Sequence, residues 1–411
     1  MTSNAAVPSL KSVQVALRKT TEHLANELAR PSTTPPDWSD FEWRAARAVA
    51  AMHGVSSLLT TTLRWRGPPE WQTFLEEQRR HTEVRHQRME ALLQLIDSTT
   101  RAAGIPALAL KGAALYALGV YRAGQRPMAD IDLLVRKEDV EPTSRLLEGQ
   151  GYRITHAYWR HRTFTPAEAP LRASLGEHAD NYLKIELHTE ICEALPTRKT
   201  RLTHFLEHAP AAGLNPYPSN GALMAHLLLH AAGAMVTRSV RLLHLHDIAL
   251  LASRMRQDDW LALAQWHENT HQPWWALPPL MLTSHYHTGA IPTDVLRALA
   301  HDCPRHLRWS AGRARLTDVS LSNLWIEAFP GIGWARSAGE AAQYIVKRIR
   351  PDQGDLSQRK SLAQSEPGHS QSKWVHLNQG TRILRWLTSR PPRPATMYAV
   401  RASLETRSSL Q

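Results

Sequence analysis

ALALKGAALYALGVYRAGQRPMADIDLLV, residues 107–135, decides how this chain is read. It opens on a short apolar run, ALAL, which follows Ile105-Pro106 and reads as a strand. Lys111-Gly112 follows, then a short helical run, AALYALGVY. The turn-like RAGQRP leads into MADIDLLV, a second strand. Asp130 and Asp132 lie two residues apart inside that second strand. Side chains alternate along a strand, so both carboxylates are predicted to share one face, with Ile131, Leu133 and Val135 turned into the core. Two anions held this close repel, and a hard cation such as Mg²⁺ relieves the repulsion through oxygen ligation. A site of that kind binds nucleotide phosphates and stabilises in-line attack on phosphorus. The plainer alternative is a strand end with two solvated aspartates, since Asp-x-Asp alone occurs widely.

Three neighbouring features favour the chemical reading. Arg126 lies four residues upstream of Asp130, where a guanidinium can meet phosphate oxygens. Lys111 and Gly112 follow the first strand, where a backbone turn and a cation can approach phosphates. A later strand, YLKIELHTEI at residues 182–191, carries Glu186 as a third carboxylate. His188 falls two residues beyond Glu186 and shares its face. It either supports the metal and phosphates or is a strand-end histidine with a backbone partner, and the sequence leaves both readings open.

Outward from this segment, the order is strand, helix, strand, helix, strands: an α+β core at residues 104–195, with KEDVEPTSRLLEGQG as its second helix and one or two strands between Tyr152 and Thr165. Upstream, residues 1–103 form an N-terminal helical region. PSTTPPD breaks its first helix, Gly67-Pro68-Pro69 separates two more, and Gly104 closes the last. Downstream, residues 196–346 are predicted to be a C-terminal helical domain, with helices in SNGALMAHLLLHAAGAMV, VRLLHLHDIALLASRM and DDWLALAQWHENT. Residues 347–411 form a basic Ser/Gln/Pro/Arg-rich tail, predicted to be largely disordered with a short helix near TRILRWL.

The bulk numbers bound the class. The 411 residues are 43% apolar and 21% charged, enough for two or three domains with a substantial core. The apolar run at residues 222–236 contains His226 and His230 and falls short of the ~20 residues that a bilayer requires, so no membrane partner is expected. MTSNAAVPSLKS has no apolar core, and a cytoplasmic protein is expected. Two cysteines, Cys192 and Cys303, make neither a disulfide framework nor a zinc site. Of the net charge of +12, +8 falls in residues 347–411, where 12 Lys and Arg face 4 Asp and Glu. Only +4 remains for the rest, so the basic excess does not lie on the catalytic body. His226 and His230 are spaced i, i+4, but the glutamate that a metalloprotease helix places between them is absent. With His244, His246 and Asp247 they read as helix-packing polar groups facing the cleft. Asp247 is expected to pair with a histidine or to cap a neighbour, and Trp274 and Trp275 to lie in the core.

Taken together, LKG, R-P-M-x-DIDLLV, the following helix ending in GY, and IELH resemble the uncharacterised nucleotidyltransferase family of the polymerase-β-like superfamily. The resemblance continues through HLLLHAAGA and VRLLHLHDIALL and covers roughly residues 85–255. It implies a polymerase-β-like nucleotidyltransferase fold: α+β, a small mixed sheet with helices, flanked by N- and C-terminal helical regions. It implies Asp130, Asp132 and Glu186 as catalytic metal carboxylates, with Glu186 helping to deprotonate an attacking hydroxyl. Lys111 and Gly112 stand where the superfamily has a Gly-Ser phosphate turn, and Arg126 would orient the triphosphate, with His188 near it. Mg²⁺ (or Mn²⁺) is the implied cofactor and a nucleoside triphosphate, ATP foremost, the donor. The acceptor is an unidentified small molecule, peptide or protein. Members of the family occur in bacterial gene clusters, which suggests peptide or natural-product tailoring. Two rival readings remain: an inactive nucleotide-binding or regulatory module that kept the fold, and a nucleic-acid-associated protein tethered by the basic tail, for which no recognition motif speaks.

Overall fold

Gly104 turns the chain from helix to sheet: its φ of +71° is left-handed, and the next amide, Ile105 N–H, returns to Thr100 O at 2.9 Å. This is seen in a computed structural model that describes residues 8–158, 161–168, 172, 174–202, 211–264, 273–351 and 377–405. Among the described residues, four helices precede the turn: α1 (Leu10–Ala29), α2 (Asp40–Met52), α3 (Ser56–Thr62) and α4 (Pro69–Ala102). Ser9 caps α1, Ser39 and Glu42 form a reciprocal capping box on α2, and Pro69 starts α4, where an amide proton has no helical partner. The stretch expected to be one helix before Gly67 is two. Gly54, at φ +66°, breaks it, and Val55 N–H bonds back to Ala50 O at 3.0 Å.

The sheet follows. Strand β1 (Pro106–Ala109) leads into α5 (Lys111–Ala117), β2 (Asp130–Val135), α6 (Val140–Gly149), β3 (Tyr152–Ala157), β4 (His161–Pro166) and β5 (Lys184–His188). Beyond them come the short pair β6 (Cys192–Ala194) and β7 (Lys199–Arg201), and β8 (Gly213–Asn215). The six-stranded sheet has the order β3-β4-β5-β2-β1-β8. Strand β2 runs parallel to β5 and antiparallel to β1, while β8 runs parallel to β1 at the edge. The sequence reading had only helix after Pro196. Strands of three residues carry too few side chains to display a period of two, and β8 exists because β1 offers it an edge.

One face of the sheet packs against α4 and α6: Ile131, Leu133, Val135, Ile185 and Leu187 meet Met89, Ile96 and Leu147 in a single cluster. A second, larger cluster joins α1, α2 and α3 to the C-terminal helices. These are α7 (Asn220–Val236), α8 (Leu242–Ala252), α9 (Gln257–Ala264), α10 (Leu277–Tyr286), α11 (Thr293–Asp302), α12 (Arg305–Ala311), α13 (Leu316–Val319) and α14 (Ala338–Ile349). Helix α7 is apolar all round because it is surrounded, with nearly all of its side chains buried. Among the described residues, no helix is long and apolar enough to cross a membrane. Trp274 and Trp275 lie in the core, as expected, and both cysteines are buried.

The tail departs from its expected disorder where it is described. Helix α15 (Gln379–Thr388) covers the predicted TRILRWL helix, and α16 (Pro394–Glu405) packs on α2. Thr396, Ala399, Val400 and Ser403 are buried there, and Arg47 donates to Ser403 O at 2.6 Å. Few apolar residues suffice, because α2 supplies the other half of the interface. Residues 352–376 and the end of the helix expected at 258–270 lie outside the described residues.

Candidate active site

Strands β2 and β5 set the site by register. Asp132 is the Cα partner of Glu186, Asp130 of Lys184 and Leu134 of His188. With alternate side chains buried beneath, the acids and His188 stand together on the face away from α4. Ligand atoms of Asp132, Glu186 and His188 all lie within 4.8 Å of one another, the only such group among the described residues. Asp130, at the first position of β2, lines the same cleft just outside that trio.

Lys111 begins α5 directly above β2. Its Nζ is 3.2 Å from each carboxylate oxygen of Asp132, and Leu110 N–H donates to Asp132 O at 2.9 Å. The lysine has a φ of +48°. A side chain with a Cβ is held in that region at a cost of about 1–3 kcal/mol, so the surrounding contacts must enforce it. Gly112 comes next, and a Cβ there would be 2.7 Å from Met128 Sδ and would collide with the Arg126 guanidinium. A glycine is required by that approach.

The electrostatics follow from five ionisable groups in one buried place. Burial pushes Asp130 up to about 6, reinforced by repulsion from Asp132 and Glu186. Asp132 is also buried, but Lys111 and the His188 hydrogen bond outweigh that and hold its carboxyl far below the usual range. His188 Nε2 lies 3.0 Å from Asp132 Oδ1 and 3.5 Å from Glu186 Oε2. Burial lowers its proton affinity, yet these two carboxylates raise it on balance, and its hydrogen bond in turn lowers Glu186. Lys111 is likewise raised, its three acidic neighbours exceeding the effect of burial. Three carboxylates, Asp130, Asp132 and Glu186, share this place with the Lys111 ammonium and the His188 ring. That is the condition a divalent cation relieves, and carboxylate oxygens are the donors Mg²⁺ prefers, so the residues present fit such an ion.

Arg126 is placed differently from a free phosphate ligand. Its Nε and Nη2 donate to Asp247 Oδ1 and Oδ2 at 2.9 and 2.7 Å, leaving Nη1 beside Gly112. Tyr121 Oη also donates to Asp247 Oδ1, at 2.6 Å, and Tyr116 Oη donates to Arg126 O at 2.6 Å. Asp247 thus pairs with an arginine and a tyrosine rather than with a histidine or a cap, because the 118–129 loop folds onto α8. His226 bonds to the Tyr217 hydroxyl at 2.7 Å, His230 Nδ1 lies 3.6 Å from Glu193 Oε1, and His244 packs edge-on against His230. Burial keeps His226 and His244 far below the usual range and His246 down at about 4. The residue types of Tyr217 and Lys184 signalled nothing in isolation; only helix packing and register bring them near the acids.

The cleft holding these groups measures about 1820 Å³. It extends from the acids along α7 and α8 to Arg393 and Tyr398 of the C-terminal segment.

The family comparison identifies this mixed sheet, with acids paired across adjacent parallel strands and helices around it, as a nucleotidyltransferase domain. The family model described as uncharacterised nucleotidyltransferase matches residues 39–271, more than half of the 411, and the chain belongs to that family. The match is wider than the resemblance noted from motifs, reaching back to the N-terminal cap of α2. Neither a curated protein nor a solved structure matches the chain. Nucleotidyl transfer is the general activity of such a domain.

Proposed function

We propose that the protein transfers a nucleoside monophosphate group from a nucleoside triphosphate, ATP foremost, to an acceptor hydroxyl or phosphate. The observation that carries this reading is the pairing of Asp132 with Glu186 on neighbouring parallel strands, with Lys111 gripping Asp132 from the adjoining turn. Mg²⁺ (or Mn²⁺) held by Asp130, Asp132 and Glu186 supplies positive charge where phosphate and attacking oxygens accumulate negative charge. The chain's own residues do the remaining work. Lys111 and the Gly112 backbone receive the triphosphate, and Arg126 contributes the Nη1 edge that Asp247 leaves open. His188 keeps Asp132 and Glu186 ionised. Glu186 accepts the acceptor's proton as its oxygen bonds to the α-phosphorus, the bond from that phosphorus to the bridging oxygen breaks, and pyrophosphate leaves. Most of the rate comes from positioning and charge neutralisation.

The acceptor would lie between the α+β core and α7 and α8. The cleft, about 1820 Å³, leaves room beside the triphosphate for an acceptor that is a small molecule, a peptide or a protein segment. Calorimetry with each nucleoside triphosphate, with and without Mg²⁺, tests the reading on the wild type and on the Asp130→Ala/Asp132→Ala variant. Metal-dependent binding confined to the wild type is expected and identifies the donor. Binding that is equal in both proteins would remove the aspartates from the site.

A further inference from the structure

Part of the C-terminal segment's basic excess lines the cleft. The family match ends at residue 271, and beyond it the chain contributes Lys347, Arg348 and Arg393 to the cleft wall. Two of these are seated on one short stretch of backbone. Arg393 Nε donates to Trp325 O at 3.2 Å, and Arg348 Nε donates to Ala328 O at 3.0 Å. Arg393 Nη1 donates to Arg238 O at 2.7 Å, just past the end of α7. Among the described residues, Arg393 Nη2 has no hydrogen-bond partner and no carboxylate forms an ion pair with this guanidinium. Glu327, the acid beside it, is committed to Arg238 Nε at 3.3 Å and to Asn323 Nδ2 at 2.9 Å. Burial lowers Arg393 to about 10, although Glu327 opposes the shift. A half-buried guanidinium bonded only to carbonyls keeps a charge that an anion compensates. This end of the cleft is separate from the nucleotide turn, and α8 spans the interval. Asp247 holds Arg126 against Gly112, whereas Arg241 lies on the cleft wall ahead of the first turn of α8, roughly 9 Å away along the axis at 1.5 Å per residue. Arg238, which receives Arg393, precedes Arg241 in the chain.

We propose that Arg393, Arg348, Lys347 and Arg241 form an anion-binding subsite for the acceptor, which carries a phosphate or carboxylate remote from the group that reacts. The inference rests on the transfer reading above and adds the acceptor's chemical class to it. An acceptor of this kind lies along the cleft, with its oxyanion among the guanidiniums and its nucleophile at the acids. Guanidinium forks match the oxygens of phosphate and carboxylate, and they stay charged at any physiological pH. Three of the four cations lie beyond the family match, so the subsite fits a shared transfer core to the acceptor of this chain.

Calorimetric titration with inorganic phosphate and, separately, with succinate tests this on protein saturated with Mg²⁺ and α,β-methylene-ATP, which fills the donor site. Wild type is expected to bind at least one of the two anions, and the tighter one identifies the acceptor's group as phosphate or carboxylate. Arg393→Gln should weaken that binding by roughly tenfold or more, the scale of a hydrogen bond to a charged group, with nucleotide affinity as in wild type. Arg393 also ties Trp325 to Arg238, so a second variant, Arg241→Gln with Lys347→Gln, changes only exposed side chains. It should weaken the anion by roughly threefold or more, as the loss of two exposed charges implies. No anion binding by the nucleotide-loaded wild type, or binding equal to wild type in either variant, would overturn the proposal. If wild type takes up no nucleotide yet binds an anion that Arg393→Gln weakens, the subsite stands and the nucleotide reading alone fails.

Discussion

The guanidinium of Arg126 and the carboxylate of Asp247 form a two-point bond, at 2.9 and 2.7 Å, between the loop ahead of β2 and helix α8. Both side chains are nearly enclosed, at 9% and 2% exposure. A buried pair of this kind is costly to break from one side, because the surviving charge stays desolvated. Asp247→Ala is expected to lower unfolding free energy by about 3–5 kcal/mol, read by urea denaturation. Arg126→Met combined with Asp247→Leu should recover much of that loss. A loss in Asp247→Ala below about 1 kcal/mol, the scale of an exposed pair, would mean that water reaches the guanidinium.

Glu186→Gln keeps the size of the side chain but cannot accept a proton. If Glu186 takes the acceptor's proton, pyrophosphate release should fall by about 10²–10⁴-fold, with ATP affinity reduced far less. Comparable losses in both would assign Glu186 to binding alone.

Asp130 links the site to pH. Its carboxyl, ordinarily near 3.8, is pushed up to about 6. Below 6 a proton occupies it and Mg²⁺ must compete, so affinity for the ion should weaken by about tenfold per unit as pH falls. The same shift has a stability consequence without metal. The folded chain holds this proton more tightly than the unfolded chain, so the contribution is fully present below 3.8 and is lost as pH rises through 6. Asp130→Asn should abolish both dependences. A Mg²⁺ affinity that is flat between pH 5 and 7 would take Asp130 out of the ligand set.

His53 gives the opposite sign. It accepts the Leu242 amide at Nδ1 (2.9 Å) and donates from Nε2 to Ser322 Oγ (2.9 Å), which fixes the neutral tautomer. Full burial, with the Arg241 charge adding to it, lowers its value to about 3. The unfolded chain binds the proton first, so stability is present above 6.5 and is lost as pH falls toward 3, at about 1.4 kcal/mol per unit. Thermal unfolding of wild type and His53→Gln between pH 4 and 7 should separate them, with the variant less dependent on pH. Parallel curves would place the titration elsewhere.

What was legible in the chain was local. The period of two in DIDLLV and KIELH, the change from helical period at Gly104, and the helix of SNGALMAHLLLHAAGAMV each follow from neighbouring residues, and each element stands where those signals put it. The same alternation put Asp130 and Asp132 on one face and Ile131 and Leu133 in the core. Signals weaker than one turn or two pleats were invisible: Gly54 splitting a helix, and β8 three residues long. The described part of the tail, residues 377–405, departs from expectation for a related reason. The few apolar residues of α16 look insufficient alone, and they suffice only against α2.

By itself the sequence determined the α+β core, its acids and their common face, because strand periodicity and charge are properties of contiguous residues. Which acids stand closest, and to what, was decided by tertiary structure. Parallel pairing of β2 with β5 sets Asp132 beside Glu186, the turn at Lys111 swings an ammonium onto Asp132, and the packing of α8 commits Arg126 to Asp247. Register and helix packing depend on segments far apart in the chain, as the separations of 56 for Asp132–His188 and 121 for Arg126–Asp247 record, and the strained turn at Lys111 meets Asp132 across 21 residues. No local pattern carries that information, since these geometries arise only when distant segments bury their apolar faces together.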